Sequence, residues 1–176
     1  MVSPYENLGD ERFWRTGVAK ENPRKVKNIH RPRWAISETE TIVTMGSCFA
    51  QHIASVLRER DLKVPFFDTT ENIKSQTYSA NYGNIYTVSQ ALQLIEEASG
   101  KRPVMEEYWP LKDGYVDAVR PNVFEQPVKS RDELSGLRMK HLAAVRSAIN
   151  ELDVLVFTLG LTEAWILKNS GRTLPV

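Results

Sequence analysis

A single cysteine, Cys48, stands among 176 residues, so no internal disulfide can form and no second thiol exists to share a structural zinc site. Charge of one sign is also missing: 23 Lys and Arg against 22 Asp and Glu leave a formal +1, too little to build a field that selects nucleic acid or an anionic membrane. No apolar run approaches the ~20 residues of a membrane-spanning helix. The opening MVSPYENLGDERFW lacks the basic and then apolar regions of an export signal. The expectation is a cytoplasmic protein with no transmembrane segment and no nucleic-acid partner. A phosphate-cradling P-loop, a dinucleotide fingerprint, an HExxH pair and a GxSxG elbow are absent as well, so no cofactor and no metal are expected. Repeats and low-complexity segments are lacking too.

What is present is a core: 41% of the residues are hydrophobic, enough for one domain of ordinary size. Residues 1–40 read as an irregular arm that packs on that domain, anchored by Trp14 and Trp34. Two prolines and six Lys or Arg fall between Lys20 and Arg33, a run read as a solvated face or as a contact for a partner.

From Thr41 the patterning sharpens. Residues 41–45 are β-prone and end at Gly46. Phe49, Ile53, Val56 and Leu57 then recur at helical spacing, giving strand, tight turn and helix. Residues 64–67 (VPFF) suggest a second strand, which Pro65 restricts to an edge or a start. A long polar loop runs from Asp68 to Asn84. Thr87 and Gln90 form a capping box for a second helix, and Ser130 with Glu133 caps a third. Residues 108–111 and 115–119, split by Lys-Asp-Gly, read as a small accessory hairpin. Val154–Leu159 is continuously apolar, as a central parallel strand buried on both faces would be. The element order predicts an open α/β fold.

Ligand sites in open α/β sheets form at the carboxyl ends of strands, which singles out the turn Gly46-Ser47-Cys48 and the segment Gly160-Leu161-Thr162-Glu163. Cys48 sits where unpaired N–H groups at a helix start favour a thiolate, making it a candidate nucleophile; a buried small hydrophobe is the plain alternative. Ser47 is the competing nucleophile or simply the helix cap. His52, four residues on, is a possible base with poor aim from the same helix. Thr162 could donate a hydroxyl and Glu163 could orient a base. Gly83 and Asn84 offer an N–H and an amide as oxyanion donors. His141 reads as a packed or half-exposed histidine, and His30 belongs to the basic arm.

The string TMGSCFAQHIASVLRER closely resembles the signature of the GSCFA family, bacterial proteins placed near the SGNH or GDSL-type esterases. The likeness continues through YSANYGNIYTVSQALQLIEEA, VDAVRPNVF, HLAAVRSAI and DVLVFTLGLTEAW. It implies a flavodoxin-like, SGNH-type three-layer arrangement with an open, mostly parallel sheet flanked by helices, of which residues 41–176 would be the N-terminal part. It places Cys48 as nucleophile, with Ser47 in the position of the SGNH aspartate. Gly83 falls at the oxyanion glycine, Thr162 at the oxyanion asparagine and Glu163 at the following aspartate. SGNH esterases bring a catalytic Asp and His late in the chain, and no Asp-x-x-His follows here, so the remainder of a parent chain beyond Val176 is expected to supply them. The substrate class implied is an acylated cell-surface polysaccharide or related carbohydrate, or an acyl thioester, acted on by an acyl esterase or acyltransferase. The alternative is a non-catalytic carbohydrate- or protein-binding domain with an inert Cys48 and a pocket lined by Tyr78, Tyr82, Tyr86 or Trp165.

Overall fold

The computed structural model describes residues 3–26, 30–74 and 78–175. Lys27, Asn28 and Ile29 of the basic run, and Ser75, Gln76 and Thr77 of the polar loop, lie outside the described residues. Met1–Ile36 and Ser37–Val176 are two compact units. The first holds a 3-10 turn at Asp10–Arg12 and a π-helical turn at Arg15–Ala19. Gly17 N–H closes that region by donating to Phe13 O at 2.8 Å.

In the second unit β1 (Ile42–Gly46) leads through Ser47 into α1 (Cys48–Glu59). After the long loop come α2 (Val88–Ala98), the hairpin β2 (Tyr108–Leu111) and β3 (Gly114–Asp117), and α3 (Arg131–Glu151). The chain ends with β4 (Val154–Thr158) and a second small hairpin, β5 (Trp165–Ile166) with β6 (Thr173–Leu174). β1 and β4 run parallel, with Ile42 opposite Val154 and Gly46 opposite Thr158. Alternate residues of this pair face different layers, as the period of two requires. Ile42, Val154 and Val156 pack with Ala54 and Leu57 of α1, while Met45 and Phe157 pack with Leu94 of α2 and Leu142 and Val145 of α3.

The open, mostly parallel, flavodoxin-like sheet is not what forms. Among the described residues there are three two-stranded sheets, and β2–β3 and β5–β6 are antiparallel. The reason lies along the second edge of β1, which loop groups satisfy one at a time. Ile42 N–H donates to Lys63 O at 2.8 Å and Thr44 N–H to Ser79 Oγ at 3.0 Å. Thr44 O accepts from Tyr82 Oη at 2.7 Å, and Gly46 O accepts from Ile85 N–H at 2.7 Å. These four groups are thereby engaged by the loop and not by a third strand. Residues 64–67 accordingly form no ladder; Pro65 has no N–H to give one, and Phe67 N–H bonds Ser79 O instead.

β4 is likewise not the strand buried on both faces: Leu155 is 44% exposed, and Leu159, the residue just past its end, 71%. β1 occupies that position, with all five residues buried. The hairpin expected from Lys-Asp-Gly does form, with Leu111 opposite Gly114.

The capping box before α2 is complete: Gln90 N–H donates to Thr87 Oγ1 at 3.2 Å and Gln90 Oε1 accepts from Thr87 N–H at 3.1 Å. Thr87→Ala is expected to lower stability by about 1 kcal/mol, read as a fall in urea midpoint at constant slope. An unchanged midpoint would mean that α2 is held by packing alone.

Candidate functional site at the carboxyl end of β1

Three chain segments meet where β1 ends. Gly46 O holds Ile85 N–H, which lays Gly83-Asn84-Ile85 beside the Gly46-Ser47-Cys48 turn. Tyr86 O accepts from both Gly160 N–H (3.1 Å) and Leu161 N–H (3.0 Å), which brings in the segment after β4. Thr158, the last residue of β4, clamps the turn: its Oγ1 accepts from Ser47 N–H at 3.0 Å and lies 3.2 Å from Ser47 Oγ. Gly46 is obligatory at this junction. Its φ is +141°, and a Cβ there would sit 2.2 Å from Thr158 Oγ1 and 2.8 Å from the Thr158 backbone, a conformation and a space that only glycine tolerates.

Ser47 is the N-cap of α1, its Oγ accepting from Phe49 N–H at 3.4 Å. With Oγ engaged by Phe49 and Thr158, it serves the turn. Cys48 is the first helical residue and its side chain is exposed. Its N–H belongs to the unpaired set at a helix start and has no partner among the described residues; the same holds for the N–H groups of Gly83 and Asn84. Phe49 beside it is also exposed. Ser47, Tyr86, Gly160 and Leu161 line an open cleft of about 370 Å³.

Thr162 and Glu163 are exposed and sit further out. With Leu161, Ala164 and Trp165 they line a separate cleft of about 440 Å³, and no hydrogen bond joins either side chain to Cys48 or to the oxyanion candidates. His52 is exposed on α1 and makes no hydrogen bond to Cys48.

His141, read as half-exposed or packed, is fully sealed, with Nδ1 2.9 Å from Asp68 Oδ2. Burial, followed by the nearby charge of Arg120, pushes its pKa down to about 3. The ring is therefore neutral at pH 7, with Nδ1–H donating to the carboxylate. Asp68 is held below the ordinary carboxylate range: burial works to raise it, and hydrogen bonds from His141 and Thr70 outweigh that. This pair is remote from solvent and holds the loop.

Two residues of the site, Thr158 and Gln51, have no place in the sequence reading, and Tyr78 enters it only as a ring that could line a binding pocket. Thr158 is legible in principle, as the polar residue ending an apolar strand opposite Gly46. Tyr78 Oη donates to Asn84 Oδ1 at 2.5 Å, and Gln51 of α1 and Cys48 lie close enough to act on the phenol. Burial is the main cause that pushes the phenol up to about 12, so it keeps its proton. The Asp68–Asn84 loop contributes this group only because the loop folds back along β1, which no local periodicity announces.

Tyr82 is buried, with Oη spent on Thr44 O, so it cannot stack against a ligand. Among the described residues no group of His, Cys, Asp and Glu is placed to hold a metal ion. No helix among them is long and apolar enough to cross a membrane. The family model described as GSCFA matches residues 41–175. No curated protein and no solved structure matches the chain.

Proposed function

The chain belongs to the GSCFA family, and from that membership we propose that it is a cytoplasmic acyl esterase or acyltransferase in which Cys48 is the nucleophile. The observation that carries the reading is the exposed Cys48 side chain at the first residue of α1, beside unpartnered N–H groups of Cys48, Gly83 and Asn84. Sγ attacks the carbonyl carbon of an ester or thioester, and the carbonyl electron pair moves to oxygen, where those N–H groups accept the developing charge. Collapse expels the alcohol or thiol, which takes the proton that the Cys48 thiol gave up. Water or an acceptor hydroxyl then cleaves the Cys48 thioester and returns the thiol. Acyl groups of a cell-surface polysaccharide or related carbohydrate are the substrate class, an acyl thioester the alternative donor. The SGNH-like role of Gly46-Ser47-Cys48 belongs to the same reading, with Ser47 as cap rather than nucleophile.

The test is covalent capture. p-Nitrophenyl acetate is expected to give a stoichiometric burst and an acetyl group on Cys48 by mass spectrometry, abolished in Cys48→Ala and retained in Ser47→Ala. Acetylation on Ser47, or none in a protein whose Cys48 iodoacetamide alkylates, would overturn it. A second reading, a carbohydrate-binding domain without turnover, is favoured by one feature, the exposed Trp165 in the outer cleft. It predicts that Trp165→Ala, and not Cys48→Ala, removes binding to an acylated polysaccharide.

A further inference from the structure

A pocket of about 110 Å³ has a lining that includes Gln51, three residues after Cys48 on α1, together with Lys74, Tyr78, Gly83, Asn84 and Asn122. Its polar lining consists of amides, a phenol and one ammonium, with no carboxylate among the described residues. Among the described residues the Lys74 ammonium makes neither an ion pair nor a hydrogen bond, while the Lys74 backbone N–H donates to Val123 O at 3.0 Å. Because Asn84 Oδ1 accepts a hydrogen bond from Tyr78 Oη, Nδ2 is the end left to donate.

The wall is preformed. Asn81 Nδ2 donates to Asp68 O at 3.0 Å, and Asn81 O accepts from buried Arg120 at 3.2 Å, so a ligand would not have to order it. The Lys74 ammonium beside the Asn84 amide donor suits a group that only accepts hydrogen bonds and carries negative charge. An ammonium would meet Lys74, and the small volume excludes a large apolar body.

We infer that this pocket binds an oxyanion, the carboxylate or phosphate of a small ligand, and that in the Cys48 reaction it holds an acidic group of the substrate next to the acyl carbon. The second half rests on the Cys48 reading; the first does not.

Binding is tested on the full chain by following the side-chain amides of Asn84, Gln51 and Asn122 in nitrogen-15 spectra during titration with acetate, glucuronate and inorganic phosphate, with Gln51 and Asn122 as the reporters in the Asn84 variant. The expected result is saturable binding in the millimolar range by a carboxylate or by phosphate, weakened at least tenfold in Lys74→Met and in Asn84→Asp. Response to carboxylates alone identifies an acidic acyl group or sugar acid, and response to phosphate alone a phosphorylated donor. No saturable shift with any of the three, or equal affinity in both variants, overturns the proposal. The p-nitrophenyl acetate burst carries no acidic group and reports on Cys48 separately. A normal burst without anion binding thus removes the pocket and spares the nucleophile, and anion binding without a burst does the reverse.

Discussion

Arg120→Met is expected to cost about 3–5 kcal/mol of folding stability, a large share of the roughly 5–15 kcal/mol of a typical domain. Arg120 and Asp117 are both sealed from solvent, with Nε 3.0 Å from Oδ2. The same guanidinium donates to Asn81 O at 3.2 Å and Leu137 O at 3.3 Å. Methionine fills most of the volume but leaves the Asp117 carboxylate with Arg138 at 3.7 Å as its remaining cation and strips a donor from two backbone carbonyls. The loss comes from stranding buried charge, not from the pair's net worth, which desolvation offsets. Arg120→Lys is expected to rescue little, since one ammonium cannot reach the acceptors that the planar fork spans. Urea denaturation measures both. A loss below about 1 kcal/mol in the methionine variant would mean that water reaches Asp117 and that the network is not sealed. Because Arg120 holds Asn81 O, the variant is also expected to loosen the Asn84 wall, visible as broadened Asn84 amide signals before any global unfolding.

This network shows where the sequence stops being legible. Arg138 and Asp117 look like ordinary surface charges when read by composition. In the fold, Arg138 Nη2 donates to Glu97 Oε2 at 2.5 Å, and Glu97 takes Arg172 from the β5–β6 hairpin at 2.9 Å. A charged residue on a helix is usually solvated, and the partners that reverse that rule here are up to 75 positions away. Local signals fared better. The Gly46-Ser47-Cys48 turn, both helix caps and the hairpin after Tyr108 follow from neighbouring residues and appear where the spacing puts them. Sheet composition did not follow, because an apolar run such as Val154–Leu159 specifies a strand without specifying how many faces are covered. Leu155 and Leu159 show that one run can be half open. Convergence of Tyr78, Asn84 and Cys48 depends on the loop returning along β1, and that path is set by Ser79, which reads as loop polarity alone, and by Tyr82, which reads as a ring for a ligand and instead bonds Thr44 O.

Acidification is expected to destabilise the protein well before its ordinary carboxylates protonate, and His141 is the reason. Its pKa is near 3 when folded and about 6.5 as a free side chain, so between these values the unfolded chain binds a proton that the folded protein refuses. Its contribution is fully present above pH 6.5 and is lost as pH falls toward 3. The limiting slope for one proton is about 1.4 kcal/mol per pH unit. Asp68, held below 3.8 when folded, adds a second loss that begins only as pH drops through the usual carboxylate range. The groups around the ring explain the sign: Arg120 and Arg138 oppose a charge on His141, and the single carboxylate in contact, Asp68, is too little to offset them and the burial. His141→Asn keeps a donor where Nδ1 meets Asp68 and cannot titrate. That variant should be less stable at pH 7 for lost packing around Tyr82, yet its stability should change much less between pH 6.5 and 4 than that of the parent. His30 and His52 are exposed and common to both proteins, so the difference in slope isolates His141. Parallel pH profiles would show that the buried ring is protonated as readily as a free one, and that the Asp68–His141 contact is an ion pair rather than a neutral donor on a carboxylate.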